Sequence, residues 1–317
     1  MCGIGGFSLS SKTALSKDIL NKILNKIKHR GPDDCGIYED HNNQIGLVHT
    51  RLSIQDLSSL GHQPMLSKNN QIALVFNGEI YNFRELRSEL LSEGIKFNGH
   101  SDTEVLLNLY IKYGQEMLAR LNGIFAFAIW DKRSQNLFLA RDNFGIKPLY
   151  YNFSKSNFFF GSELKSLTPL FENTKSLDFE SIQSYLTYLY CPGKGTPIKS
   201  INKLLPGEAM IVHKGKIKSC WKWYRLPFFQ KKNKKIITKE IAINGVRDHL
   251  RNAVNRQMVA DVPIGAFLSG GLDSSAIVSF ARETNRDIRC FTVEAKGGQE
   301  KDTTEDLHYA HKVAKHL

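Results

Sequence analysis

The chain has 317 residues, 41% of them hydrophobic, with 43 Lys and Arg against 31 Asp and Glu for a formal charge of +12. That length allows two domains with separate cores, and no apolar run reaches the roughly 18 residues of a membrane-spanning helix. The start, Met1-Cys2-Gly3-Ile4-Gly5-Gly6, lacks the basic and apolar regions of a secretory signal, so a cytoplasmic protein with no membrane partner is expected.

Gly3 to Leu9 is apolar and glycine-rich, as suits a buried strand. Apolar residues at 19, 20, 23, 24 and 27 predict a helix over 18–28, stopped by Gly31-Pro32. The run 71–76 reads as a strand ended by Asn77-Gly78. Helices are predicted over 85–93 and 104–113, paired strands over 123–130 and 136–140, and another strand over 158–160. A hairpin follows Leu205-Pro206-Gly207, with strands over 208–213 and 216–221 turning at Lys214-Gly215. This irregular alternation fits a layered α+β sandwich better than a βαβ repeat.

Past a polar stretch at 230–235 the pattern changes. A long helix over 237–259 precedes a strand over 264–268, a Gly/Ser loop over 269–275 and a helix over 276–283. A strand over 288–293 and a helix over 305–315 follow. Strand, helix, strand, helix is the start of a doubly wound parallel sheet, too short by Leu317 to complete one. The expected division is a first domain over 1–225, a basic linker over 226–236 and a partial second domain over 237–317.

Lysines are spread along the chain, and the densest run, Lys231-Lys232-Asn233-Lys234-Lys235, has no interleaved aromatics. It reads as solvated linker, and no nucleic-acid partner is expected. The cysteines (Cys2, Cys35, Cys191, Cys220, Cys290) form no C-x-x-C pair. That argues against a zinc site or a disulfide framework, and most are expected to be small buried hydrophobes. His29, His49, His62 and His100 have no metal-ligand spacing and read as structural.

Cys2 is different. Loss of Met1 would give one residue a nucleophilic sulfur and a free α-amine, whose ordinary pKa of about 7.7–8.0 leaves a neutral fraction to accept a proton. Position alone is a weak signal. The segments that accompany it are His29-Arg30-Gly31-Pro32-Asp33, Arg51-Leu52-Ser53-Ile54, Asn77-Gly78-Glu79-Ile80-Tyr81-Asn82, Ser101-Asp102-Thr103-Glu104 and Arg141-Asp142-Asn143-Phe144-Gly145-Ile146-Lys147-Pro148-Leu149-Tyr150. In that order they resemble class II glutamine amidotransferases, most closely the glutamine-hydrolysing asparagine synthetase family, over essentially the whole chain.

The resemblance implies an N-terminal-nucleophile (Ntn) hydrolase sandwich of four layers. Cys2 would attack the side-chain amide of glutamine, release ammonia and leave a γ-glutamyl thioester. The Asn77 side chain and Gly78 N–H would stabilise the oxyanion. Arg51 would fork onto the substrate carboxylate and Asp102 would pair with its ammonium, with Leu52, Ser53, Ile54, Gln55 and Glu79 in the same pocket. Taken singly, each has a bland reading: Asn77-Gly78 as a tight turn, Asp102 as a helix cap, Arg51 as a surface ion pair, and Arg141-Asp142 as an ion pair fixing a turn.

Ser269-Gly270-Gly271-Leu272-Asp273-Ser274-Ser275 lies between a predicted strand and helix, where backbone N–H groups face anions. It resembles the S-G-G-x-D-S loop of ATP-pyrophosphatases, not a Walker A loop. The resemblance implies ATP, flanked at adenine and ribose by Leu268 and Val293, with Mg²⁺ near Asp273. It also implies aspartate as the adenylated acceptor, a shielded ammonia passage and a homodimer. Because the family continues well past the position of Leu317, synthesis by these residues alone is not expected. Two other readings stand beside this one: an amidotransferase acting on another carboxylate such as a sugar acid, and a truncated nucleotide-binding regulator.

Overall fold

The computed structural model describes residues 1–11, 16–170, 176–227, 238–293 and 304–317. The expected linker run Lys231–Lys235 lies outside them. The chain divides into two compact units, Met1–Pro227 and Phe228–Leu317.

The first unit contains strands β1 (Gly3–Ser8), β2 (Asp34–Asp40), β3 (Ile45–Arg51), β4 (Met65–Leu66), β5 (Ile72–Ile80), β6 (Gly123–Asp131) and β7 (Asn136–Arg141). Strands β8 (Tyr150–Ser154), β9 (Asn157–Gly161), β10 (Ile201–Lys203), β11 (Glu208–His213) and β12 (Lys216–Lys222) complete it. Its helices are α1 (Ser16–Ile27), α2 (Phe83–Ser92), α3 (Asp102–Tyr113), α4 (Leu164–Leu167) and α5 (Phe179–Tyr188). Two six-stranded sheets form, β10-β8-β9-β1-β3-β2 and β12-β11-β7-β6-β5-β4, with every pairing in them antiparallel.

Strand alternation puts one face of each sheet into a shared core. Ile4, Leu47, Phe158 and Phe160 from the first sheet meet Val75, Ala128, Leu139 and Met210 from the second. On the outer face of the first sheet, Leu20, Ile23 and Ile27 of α1 pack on Phe7 and Val48. On the outer face of the second, Tyr110 of α3 stacks on Phe138, ring centroids 5.8 Å apart. Helix, sheet, sheet, helix is the Ntn sandwich. Among the described residues no helix is long and apolar enough to cross a membrane.

Three local expectations are corrected. β5 does not end at Asn77-Gly78; it runs on to Ile80, and the pair sits opposite Ala126 and Phe125 of β6. Neighbouring strands come too close at Gly78 for a side chain: a Cβ there would lie 2.3 Å from the Ile124 carbonyl oxygen. Next, α3 is capped by Ser101, whose hydroxyl accepts the Glu104 N–H at 3.2 Å, and not by Asp102, which is its first residue. Finally, Cys35, Cys220 and Cys290 are exposed instead of buried, because each lies on a strand with no neighbour on one side (β2, β12) or in an open two-stranded pair. β2 and β3 have no counterpart in the sequence reading, since polar Asp, His and Thr interrupt their apolar run.

The second unit comprises α6 (Lys239–Gln257), β13 (Gly265–Phe267), α7 (Leu272–Thr284), β14 (Arg289–Phe291) and α8 (Thr304–His316). β13 and β14 are parallel, with a small core of Leu268, Val278 and Ala310. α7 starts at Leu272, four residues before the predicted 276. More than half of the Gly/Ser run is therefore helical, because Leu272-Asp273-Ser274-Ser275 can follow Gly271 at the N-cap position.

Candidate active site

Cys2 enters β1 half-buried, and its sulfur accepts the Leu52 N–H at 3.4 Å while its S–H reaches the Leu52 carbonyl at 3.6 Å. Its own carbonyl accepts Arg30 Nε at 2.8 Å, and Arg30 Nη1 pairs with Glu163 at 2.8 Å. Burial works against the Glu163 charge, but hydrogen bonds from Arg30, Lys165 and His29 hold this carboxyl down at about 2. Thus Glu163, just past the end of β9, braces Arg30, and Arg30 braces the residue that carries the thiol. Replacing Glu163 with Gln keeps the shape and removes the charge. We expect a five- to twentyfold fall in turnover with little change in KM, about 1–2 kcal/mol for a charge-assisted bond, measured by steady-state kinetics.

The strand geometry beside Cys2 is informative. In an antiparallel pair, alternate residues turn their N–H and C=O away from the partner. The Phe125 N–H and C=O both engage Asp142, at 3.2 and 2.8 Å, so the Gly78–Phe125 pair has no ladder bonds. Gly78 therefore points its N–H the same way as Phe76 and Ile80. Those two are taken up by Gln63 Oε1 at 2.7 Å and Asp102 Oδ2 at 2.9 Å. Between them, among the described residues, the Gly78 N–H has no acceptor. Asn77 is 1% exposed, and its amide nitrogen is buried without a partner among the described residues. An orphan donor of this kind costs about 1–3 kcal/mol. Two adjacent unused donors thus lie on one short segment of β5.

One small pocket is lined by Cys2, Arg51, Leu52, Ile54, Gln55, Gly78, Glu79 and Asp102, with Gln63 and Thr103 beside them. Ser53 is next to it, its N–H held by Asp33 Oδ2 at 2.7 Å. Arg51 departs from expectation. It is 6% exposed, and its two terminal nitrogens donate to the carbonyls of Ser58, Gln55 and Asp56. The guanidinium braces the 52–58 loop, so a free two-pronged fork is not on offer.

Half-buried Glu79 and buried Asp102 form a carboxyl pair. Burial raises both, to about 8 and about 6, and Asp102 raises Glu79 further. Gln55 Nε2 donates to Glu79 at 2.7 Å. His49, wholly buried with Nε2 against the Phe76 carbonyl at 3.1 Å, is pushed down to about 3 by burial and stays neutral. Asp142 fixes its turn differently from the expected ion pair: it accepts backbone N–H groups, while Arg141 donates to the carbonyls of Gly145, Lys147 and Leu204.

In the second unit, Gly270 takes a φ of +82°, and a Cβ there would lie 2.5 Å from the Ala310 nitrogen. Glycine alone turns the chain this tightly into the N-terminus of α7. Ser269 and Ser274 hydroxyls lie 3.1 Å apart, and Ser275 donates to the Gly271 carbonyl at 2.7 Å. Leu268 and Val293 follow the carboxyl ends of the parallel strands, where α/β sheets bind ligands. The Leu268 side chain nevertheless faces the core, while Val293 is exposed. Asp273 is exposed, and no group of three metal-ligating side chains occurs among the described residues.

Sequence alone missed Arg30 and Glu163 as a brace, Gln63 and Lys147. Arg30 lay inside a quoted motif, but nothing in the sequence links it to a residue 133 positions away.

Comparison with known proteins bears on both units. Residues 1–224 match the glutamine amidotransferase domain family, and residues 245–317 match the asparagine synthase family. A Bacillus subtilis protein named asparagine synthetase [glutamine-hydrolyzing] 1 is 39% identical over 313 residues, covering 96% of this chain and 48% of that protein. An amidase of Gibberella zeae is 32% identical over 327 residues, covering 95% and 48%. The chain spans about half the length of these curated relatives. A solved structure of glutamine phosphoribosylpyrophosphate amidotransferase from B. subtilis superposes with a TM-score of 0.53 at 18% identity, covering 97% of this chain and 70% of that one, a likeness of fold.

Proposed function

The chain belongs to the glutamine amidotransferase family, joined here to an asparagine synthase segment at 245–317, and from that premise we propose that residues 1–224 hydrolyse glutamine at Cys2. One observation carries the reading: the buried, unpartnered Asn77 amide on the strand beside the Cys2 thiol.

The steps follow from the residues. The α-amine of a first-residue Cys2 accepts the thiol proton as sulfur bonds to the side-chain carboxamide carbon. Asn77 Nδ2 and the Gly78 N–H take the oxyanion. The amine returns its proton to the departing nitrogen, the C–N bond breaks and ammonia leaves a γ-glutamyl thioester. Water then hydrolyses the thioester, with the amine again moving the proton. The test is direct: acid-quench the processed chain with glutamine and examine the Cys2 peptide by mass spectrometry. A glutamyl adduct on Cys2 is expected, and its absence during active turnover would sink the reading.

Glu79 and Asp102 would hold the substrate ammonium, whose charge offsets their mutual repulsion. The pH sign follows. A carboxyl raised by burial stabilises the fold while protonated, and that contribution is lost as pH rises toward about 8 for Glu79. Binding the ammonium needs the ionised pair, so KM for glutamine should fall as pH rises from 6 to 8. Glu79→Gln should raise KM tenfold or more, yet raise the stability of the free protein at pH 8 by about 1 kcal/mol. Thermal melts beside KM measurements check both signs.

For the second unit we propose that ATP binds at the Ser269–Ser275 loop, its phosphates on the α7 N-terminus. Gly270, Gly271 and the serines Ser269, Ser274 and Ser275 would supply donors. Mg²⁺ would take one carboxylate from Asp273, with phosphate oxygens and water filling the shell, as this ion commonly accepts. The acceptor would be aspartate, activated as its adenylate and attacked by the ammonia released at Cys2. The matches to asparagine synthase and to relatives of that name support this assignment.

A further inference from the structure

Past Leu74, β5 has no strand on the side away from β6, because β4 pairs only with Ala73 and Leu74. Phe76, Gly78 and Ile80 turn their backbone groups to that open side. A neighbouring strand there would take the Gly78 N–H. Side chains hold the edge instead. Gln63 Oε1 accepts the Phe76 N–H at 2.7 Å, His49 Nε2 meets the Phe76 carbonyl at 3.1 Å, and Asp102 Oδ2 accepts the Ile80 N–H at 2.9 Å. Gln63, just before β4, is 4% exposed, and its Nε2 donates to Thr103 Oγ1 at 3.4 Å, which ties it to the first turn of α3. Gln63, Phe76, Gly78, Asp102 and Thr103 all border the pocket that Cys2 lines.

His49 reaches this edge from the other sheet. Alternation along β3 puts it in one row with Ile45 and Leu47, which belong to the apolar layer between the sheets. A carbonyl only accepts, so Nε2 carries the ring proton. Nδ1 is then a buried acceptor with no partner among the described residues. An aliphatic side chain in this row would avoid both the burial of an imidazole and its orphan nitrogen. What it could not do is bond the Phe76 carbonyl. That carbonyl belongs to the planar peptide unit entering Asn77, so the bond fixes the plane from which the Asn77 side chain departs. We infer that His49 and Gln63 are positioning residues for the oxyanion donors: gripping Phe76 at its C=O and its N–H, they hold Asn77 and Gly78 in place and leave the Gly78 N–H open. The inference rests on the reading of Cys2 as nucleophile with those two donors. His49 is 0% exposed and lies outside the pocket wall, so it acts through the strand.

The test uses the full chain with Met1 removed, as wild type, His49→Leu and His49→Gln, each with and without Asn77→Ala. His49→Leu should lower kcat for glutamine about tenfold and leave KM within about twofold, since misplaced donors weaken the transition state and not substrate binding. A glutamine amide can donate to the Phe76 carbonyl, so His49→Gln should bring kcat back to within about threefold of wild type. In the Asn77→Ala background the loss from His49→Leu should shrink to about twofold, because the donor it positions is gone. Amide exchange across the 72–80 peptide should quicken in His49→Leu, while peptides from α1 stay as in wild type. Equal losses in both backgrounds would make His49 merely structural and overturn the inference, as would failure of His49→Gln to recover kcat. If melting curves show that His49→Leu does not fold, Gln63→Met, which strips the Phe76 N–H of its acceptor, enters the same cycle and the same comparison decides. A wild type that never turns over glutamine overturns the reading of Cys2 instead. The grip on Phe76 is then judged by amide exchange alone, and unchanged exchange would overturn it too.

Discussion

Cys2→Ala is expected to lower glutamate release from glutamine by at least about 10⁴-fold, leaving the fold intact. In the proposed mechanism the thiol is the bonding atom of the covalent intermediate, and without it the remaining donors would have nothing to stabilise. Cys2 sits at the mouth of β1 and contributes little to either core, so melting should shift little. A chain that retains Met1 should be nearly as inactive. Its Cys2 nitrogen is an amide that cannot take a proton, and burial then keeps the thiol above its ordinary value. A glutamate assay on three preparations (processed wild type, Cys2→Ala and Met1-retaining) measures this. Comparable activity in all three would remove Cys2 from the mechanism.

The second large effect concerns Asn77. Asn77→Ala should reduce kcat for glutamine by about 10²–10³, which is about 3–4 kcal/mol of transition-state stabilisation, with KM nearly unchanged. Stability provides the discriminating readout. A structural asparagine with its bonds satisfied would cost stability when truncated. Asn77 has an orphan nitrogen, so its removal lifts a penalty that offsets much of the small cavity left behind. Kinetics together with a denaturant titration separate the cases; a large loss of stability with unchanged kcat would reverse the assignment. Gly78→Ala is a blunter probe, because its Cβ would press on the Ile124 carbonyl oxygen and force β5 from β6. It should lose activity and about 1–3 kcal/mol of stability together.

Much of the site was legible before any coordinates. Cys2, Asn77-Gly78, Glu79 and Asp102 stood out through residue type and order, and all but Asn77 line one pocket. Arg51 was found as a pocket residue but not as a brace, because a guanidinium's choice among three backbone carbonyls depends on a loop that composition does not describe. Asn77-Gly78 looked like a turn for a sound local reason, since that dipeptide favours tight hairpins. The close approach of β6 overrode it, as only glycine fits between Ile124 and Phe125.

Chemistry-bearing residue types, their order and the helix and strand periods were therefore settled by sequence alone, because a thiol next to the chain start and a 3.6-residue apolar spacing are local properties. The tertiary structure decided which donors are free. Among the described residues the Gly78 N–H is unsatisfied because Asp142 holds Phe125 and because Gln63 and Asp102 take the N–H groups on either side. It also decided that Glu163 anchors Arg30 and that the buried Lys147 ammonium meets no hydrogen-bond or ion-pair partner among the described residues. Hydrogen-bond vacancy and desolvation are sums over neighbours far apart in the chain, and a sequence does not reveal those neighbours until it folds.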